Sequence, residues 1–81
     1  MTYYITSVRY DENDEAIEKV KCLGGSECTK KEMIYFLNTG SIAYTYYDSQ
    51  VGDHVHVVDN EYLRTDGNHI RQDNLGNLPR F

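Results

Sequence analysis

Tryptophan is absent, cysteine occurs twice, and Lys plus Arg number 8 against 13 Asp plus Glu. The resulting formal net charge of −5 argues against direct binding to duplex nucleic acid, which rests on basic side chains neutralising phosphates. A partner with a basic surface suits the charge better. No apolar run approaches the roughly 18 residues that a membrane span needs, so no membrane association is expected. The start, Met1-Thr2-Tyr3-Tyr4-Ile5, has neither a basic n-region nor a long apolar stretch, so an export signal is not expected and a cytoplasmic location is. In that compartment Cys22 and Cys28 are expected as reduced thiols and not as a small disulfide ring.

What is present describes an ordinary folding chain. Hydrophobic residues make up 40% and charged residues 26% of 81 positions, which falls outside the disordered class. That length holds one core, so residues 1–81 are read as a single domain. A domain of this size needs nearly every large apolar side chain for packing. Eight of the ten aromatic residues are Tyr, whose apolar ring and polar tip suit half-buried sheet faces and interfaces.

Along the chain, Tyr3 to Tyr10 reads as a strand. Its apolar side chains fall on both parities, Tyr4, Val8 and Tyr10 against Tyr3 and Ile5, which predicts a bulge or burial on both faces. A polar turn follows at Asp11-Glu12-Asn13-Asp14-Glu15. Ala16 to Leu23 then repeats the spacing of the first segment, Ile17-Val20 echoing Ile5-Val8, so a hairpin is expected. A helix capped by Asp14 is the competing reading of residues 14–22.

Thr29 and Glu32 form a capping box. Met33, Ile34, Phe36 and Leu37 supply an apolar band, and Gly40 stands where a left-handed terminator is wanted, which predicts a helix over about 29–38. Strands are expected at Ile42 to Tyr47 and Asp53 to Val58 across an Asp48-to-Gly52 loop. The valine side of the second strand is the expected core face. Asp59-Asn60-Glu61 turns into a short strand at Tyr62 to Thr65, Asp66-Gly67-Asn68 turns again, and His69 to Gln72 pairs back. In the tail, Asp73 is expected to cap a short helical turn that lays Leu75, Leu78 and Phe81 on the core. The fold class is α+β: a small, mostly antiparallel sheet of four to five strands, ββαββ-like, with one helix packed on it.

The stretch Tyr62-Leu63-Arg64-Thr65-Asp66, with Asp73-Asn74-Leu75-Gly76-Asn77-Leu78-Pro79 and Phe81, resembles the ending of a family of short, mostly bacterial and phage-associated proteins catalogued as a domain of unknown function. The opening is also similar, in Ile5, Val8, Arg9 and Tyr10, the Ile17 and Val20 pair, the capped helix ending in Gly40, and Val55 to Val58. The resemblance implies a freestanding small domain with no catalytic residues to carry over. The Asp11-to-Glu15 turn is more acidic than the family pattern.

Several clusters carry candidate chemistry. Cys22, Cys28, His54 and His56 are zinc-ligand types, but their spacing matches no short clamp and the two pairs sit in different segments, so no metal is expected. Gly24, Gly25 and Ser26 ahead of Lys30 and Lys31 could cradle an anion through free N–H groups and the positive helix end, which is the alternative reading as a nucleotide or small-molecule binder. The GxxxxGK[ST] spacing is absent. Arg64, Asp73 and Asn74 are read as a structural pairing, Arg64 with Asp73.

No serine lies in an elbow motif, and neither cysteine has a histidine nearby in sequence. Carboxylates on a solvated turn lack the burial that raises an acid's pKa. Neither enzymatic activity nor a cofactor is therefore expected. The tyrosines of the strands, Tyr3, Tyr4, Tyr10, Tyr44, Tyr46 and Tyr47, exceed what one face of a small sheet can bury, so some reach water or a partner. With Asp11, Glu12, Asp14 and Glu15 beside Tyr10, Tyr46 and Tyr47, the leading expectation is a protein-binding module for a basic groove, acting as a phage or mobile-element accessory or inhibitor protein. Self-association into a homodimer through a sheet edge is a further reading.

Overall fold

A computed structural model describes residues 1–66 and 70–81. The β-rich opening forms β1 (Thr2–Tyr10), β2 (Ile17–Cys22) and a short β3 (Glu27–Thr29). A helix, α1 (Lys30–Asn38), leads to β4 (Ile42–Tyr47), β5 (Gln50–Val58) and β6 (Tyr62–Arg64). The six strands lie in the order β3-β2-β1-β4-β5-β6. Two three-stranded meanders thus meet at their first strands. Within each meander short turns enforce antiparallel pairing. The β1–β4 pair is parallel, Thr2 facing Ile42 and Ile5 facing Thr45, because the chain returns through a helical crossover and not a hairpin.

Residues 14–22 therefore resolve as turn and strand, and the hairpin of β1 on β2 pairs Val8 with Val20 and Tyr10 with Ile17. The sheet is larger than expected from sequence and mixed in direction. β3 escaped notice because three residues carry no measurable periodicity. Gly24 and Gly25, both at positive φ, turn the chain so that Cys28 faces Val20.

The register of β1 shifts between Ile5 and Ser7, so Thr6 is a bulge that restores the parity of the apolar residues. Tyr3, Ile5, Val8 and Tyr10 consequently all belong to the helix-facing core. Tyr4, grouped with Val8 by simple alternation, falls on the opposite face. Ala43 and Val55 pair across β4 and β5 and are buried, so the valine side of β5 is the core side as expected.

The β4–β5 connection is tighter than the expected five-residue loop. Asp48 (φ 53) and Ser49 (φ 62) occupy the two left-handed positions of a type I′ turn, and β5 starts at Gln50. No glycine marks this turn, which hid it in the sequence. Gly52 instead answers a packing need: a Cβ there would run into Oγ1 of Thr45, the oxygen that accepts the Asp53 N–H.

The capping box forms as read. Thr29 Oγ1 accepts from Glu32 N at 3.1 Å and the Glu32 carboxylate accepts from Thr29 N at 2.9 Å. Met33 and Ile34 are buried, with Phe36 and Leu37 packed at the margin, and Gly40 leaves the helix at φ 108. The helix lies on one face of the sheet, over β2, β3, β4, β5 and β6.

The tail departs from expectation. Gly67, Asn68 and His69, which carry most of the expected turn and the start of the returning strand, lie outside the described residues, and Ile70 to Gln72 form no strand. Asp73 caps no helical turn. Its buried carboxylate accepts from Ile17 N at 2.8 Å, Leu63 N at 2.8 Å and Lys30 Nζ at 2.9 Å. Extended backbone follows, bridging Asn74 to Arg64 and Arg80 to Val8 in parallel. The tail caps the outer edge of β6 and then takes the side of β1 that β4 has left, with Leu75 buried in the core and Leu78 packed against it.

The expected Arg64–Asp73 pairing is replaced by two separate ones. Arg64 forks onto Asp66, with Nε to Oδ1 at 2.9 Å and Nη2 to Oδ2 at 2.7 Å, and gives Nη1 to the Gln72 carbonyl at 2.8 Å. A planar guanidinium matches a carboxylate two residues away better than one already holding three donors.

Candidate functional site

Parallel pairing of β1 and β4 points the ends of both strands the same way. It places the Asp11-to-Glu15 turn and Tyr46-Tyr47 at one end of the sheet, although they lie far apart in sequence. The turn is built, not loose. Asp11 Oδ1 accepts from Asn13 N and Glu15 N, both at 3.1 Å, and the Asp11 N–H reaches the Ala16 carbonyl at 2.8 Å. The Glu15 amide, foremost among these backbone donors, holds the Asp11 carboxyl below its usual range.

Asp14 pairs with Arg80 at 2.8 Å with both side chains largely exposed. Arg80 lies over the Tyr10 ring, 4.3 Å from its centre, and Tyr10 packs against the core. Tyr10 is thus not presented at this end, and Asp11 is occupied in shaping the turn. Glu12, Glu15 and Tyr47 are exposed, and neither glutamate has an ion pair among the described residues.

Tyr46 belongs to a different group, on the face opposite the helix. There Tyr4 stacks on Tyr44 (centroids 6.2 Å) and meets Tyr46 edge-on (5.9 Å), while Tyr44 meets His54 edge-on (5.6 Å). On the adjoining part of this face, Arg9 and Lys21 both lie over the Phe81 ring, at 4.7 Å and 4.6 Å. Sequence reasoning missed this cluster because the bulge at Thr6 inverts the face of Tyr4. Period-two parity in β4, where Tyr44 and Tyr46 alternate with Ala43 and Thr45, was the available signal.

The glycine-rich connector and the helix start are not brought together as an anion cradle. β3 separates Gly24, Gly25 and Ser26 from the helix, the Gly25 N–H already reaches the Cys22 carbonyl at 2.9 Å, and the cap engages Glu32 N. Lys30 turns inward to Asp73 and lies 5.5 Å from the centre of the Tyr62 ring, which supplies a structural reason for a cation at the positive end of a helix. Lys31 is exposed.

The four zinc-type residues are also apart. Cys22 and Cys28 face the helix side of β2 and β3, whereas His54 and His56 lie on β5, three strands from β2 in the sheet order.

A cavity of about 390 Å³ opens between α1 and the β1–β3 meander, lined by Tyr3, Cys22, Leu23, Cys28, Glu32 and Phe36 among others. The stacked Tyr3 and Phe36 rings, 5.3 Å apart, form its apolar wall. Burial, with lesser contributions from Cys22 and Glu32, pushes the Cys28 thiol up to about 11, and burial likewise raises Cys22. Both are therefore thiols, and poor nucleophiles, at neutral pH.

Alkylation of Cys28 in the native protein at pH 8 is expected to run about 100-fold slower than for a free thiol, as judged by mass-resolved iodoacetamide labelling. Because the native state favours the protonated form, this group's stabilising contribution is complete below the ordinary value of 9.0 and is lost as pH rises toward about 11. Labelling at free-thiol rates would show that Cys28 is open to water.

The architecture is that of a small α+β domain, a six-strand mixed sheet with one helix. The chain belongs to the family described as protein of unknown function (DUF3892), whose model matches residues 4–79. No curated protein and no solved structure matches it. Among the described residues no helix is long and apolar enough to cross a membrane.

Proposed function

We propose that this chain is a non-enzymatic binding module that acts through protein contacts, using the acidic turn with Glu12, Asp14 and Glu15 together with the exposed Tyr47. The observation that supports this reading is the parallel β1–β4 pair, which points the acidic turn after β1 and the exposed tyrosine at the end of β4 in the same direction. Tyr supplies large contact area at low entropic cost, and carboxylates around it steer a basic partner. The partner class is a protein with a basic groove. The proposal extends to an accessory role for a phage or mobile element, occupying such a groove on a host factor.

The turn's carboxylates are exposed or engaged by backbone amides, Asp73 holds three donors, and both thiols stay protonated. These groups are thus solvated, engaged or protonated, which supports a binding role over catalysis by them.

Capture of partners from the native host by the wild-type chain, compared with a Glu12→Gln, Asp14→Asn, Glu15→Gln, Tyr47→Ala variant, tests the reading. Asp11 is left intact to preserve the turn. Capture of a basic protein is expected to be lost in that variant and kept in Ser26→Ala, Lys31→Gln. The reverse pattern would transfer the site to the connector, and sedimentation of the free chain would expose self-association.

A further inference from the structure

The open face of the sheet offers a second surface with different chemistry. Four rings, Tyr4, Tyr44, Tyr46 and His54, run across β1, β4 and β5 at centroid spacings of 5.6–6.2 Å. The helix and the buried core occupy the other face. Beside the rings stand Arg9 and Lys21, stacked on Phe81. Arg9 donates Nε to the Phe81 backbone oxygen at 3.1 Å, and neither Arg9 nor Lys21 has an Asp or Glu side chain within ion-pair distance among the described residues, in a chain where acidic groups outnumber basic ones 13 to 8. The five salt bridges among the described residues use Lys30, Arg64, Arg71 or Arg80.

We propose that this face binds single-stranded nucleic acid, its bases stacking on Tyr4, Tyr44, Tyr46 and His54 and its phosphates meeting Arg9 and Lys21. Ring planes on a sheet accept unpaired bases of any sequence, because every base has a π-face. A duplex hides those faces in its own stack, so the net acidity that disfavours duplex binding does not bear on this mode in the same way. Arg9 is held for the task. Its Nε donates to the Phe81 backbone oxygen at 3.1 Å and its guanidinium lies on the Phe81 ring, which leaves its terminal amino groups for an anion. Arg9 and Phe81 neighbour the Asp14–Arg80 pair of the acidic end, so the ring variant, and not position alone, tells the two proposals apart.

Fluorescence anisotropy with labelled oligothymidine and oligouridine tests the inference, with a mixed-sequence duplex and a polyglutamate peptide as competitors. Binding is expected with a log–log salt slope of about −1.4, two phosphate contacts at roughly −0.7 each. It is expected to weaken roughly tenfold or more in Tyr44→Leu, which keeps apolar cover over the strand, and to lose its salt dependence in Arg9→Gln, Lys21→Gln. Lys31→Gln should bind as wild type, and the acidic-end variant, which removes carboxylates near Arg9 and frees Arg80, should bind no more weakly. A flat anisotropy up to about 100 µM protein would overturn the proposal. Equal competition by duplex would do so too, and equal competition by polyglutamate would assign the face to an acidic protein.

Discussion

Replacing Asp73 with Ala is expected to remove about 3–5 kcal/mol of stability, the scale on which breaking a buried charge pair acts. A domain of this length has roughly 4–12 kcal/mol in total, so the variant would sit at the edge of folding. The side chain is fully enclosed, and its two oxygens satisfy the backbone N–H groups of Ile17 and Leu63 and the ammonium of Lys30. These donors start β2, sit in β6 and open α1. One carboxylate therefore joins three elements, and alanine leaves two buried amides and a part-buried ammonium without their acceptor.

Asp73→Asn is expected to recover only part of the loss, because its amide nitrogen must face one of those donors. Lys30→Met should cost less than Asp73→Ala, since both backbone donors keep their acceptor. Urea denaturation followed by circular dichroism measures all three. A loss under about 1 kcal/mol for Asp73→Ala would mean that water substitutes for the carboxylate.

Ile5→Ala is expected to cost about 2–5 kcal/mol, and Ile5→Val only about 0.5–1.5. Ile5 is fully buried and lies at the seam of the two meanders, opposite Cys22 of β2 and Thr45 of β4. A cavity there undermines the contact of both halves with the helix, and the strands on either side are too constrained by pairing to collapse into it. The same denaturation series, with guanidinium as a second denaturant, gives the two values. An alanine variant no weaker than the valine one would place the seam's stability in its backbone pairing and not in this side chain.

Much of the fold was legible in local pattern. The repeated Ile-x-x-Val spacing announced the first hairpin, Thr29 and Glu32 announced the helix start, and the mixed parity of Tyr3 to Tyr10 announced the bulge. Each is a relation between residues a few positions apart, where backbone geometry alone dictates which side chains meet. The turn at Asp59-Asn60 was read from its residue types, whereas the one at Asp48-Ser49 was taken for a longer loop, because both residues adopt positive φ without the glycine that usually signals it. β3 was invisible for want of length.

The candidate surfaces show the same division. The chain's tyrosine surplus and the acidity of residues 11–15 could be read directly. Parity along β4 set Tyr44 and Tyr46 on one side, but that Tyr4 joins them could not be read, since one inserted residue at Thr6 reverses the facing of Tyr4 relative to Val8 and Tyr10.

Composition and short-range spacing determined the class of this protein: a small α+β domain, acidic, with more rings than its core can hold. Only the tertiary structure decided that β1 and β4 run parallel, that Asp73 is the acceptor for three elements, and that Arg9 and Lys21 share the Phe81 ring on the face that carries a row of rings. Local preferences are written within a few residues, whereas partners across a sheet are selected by the packing of the whole chain.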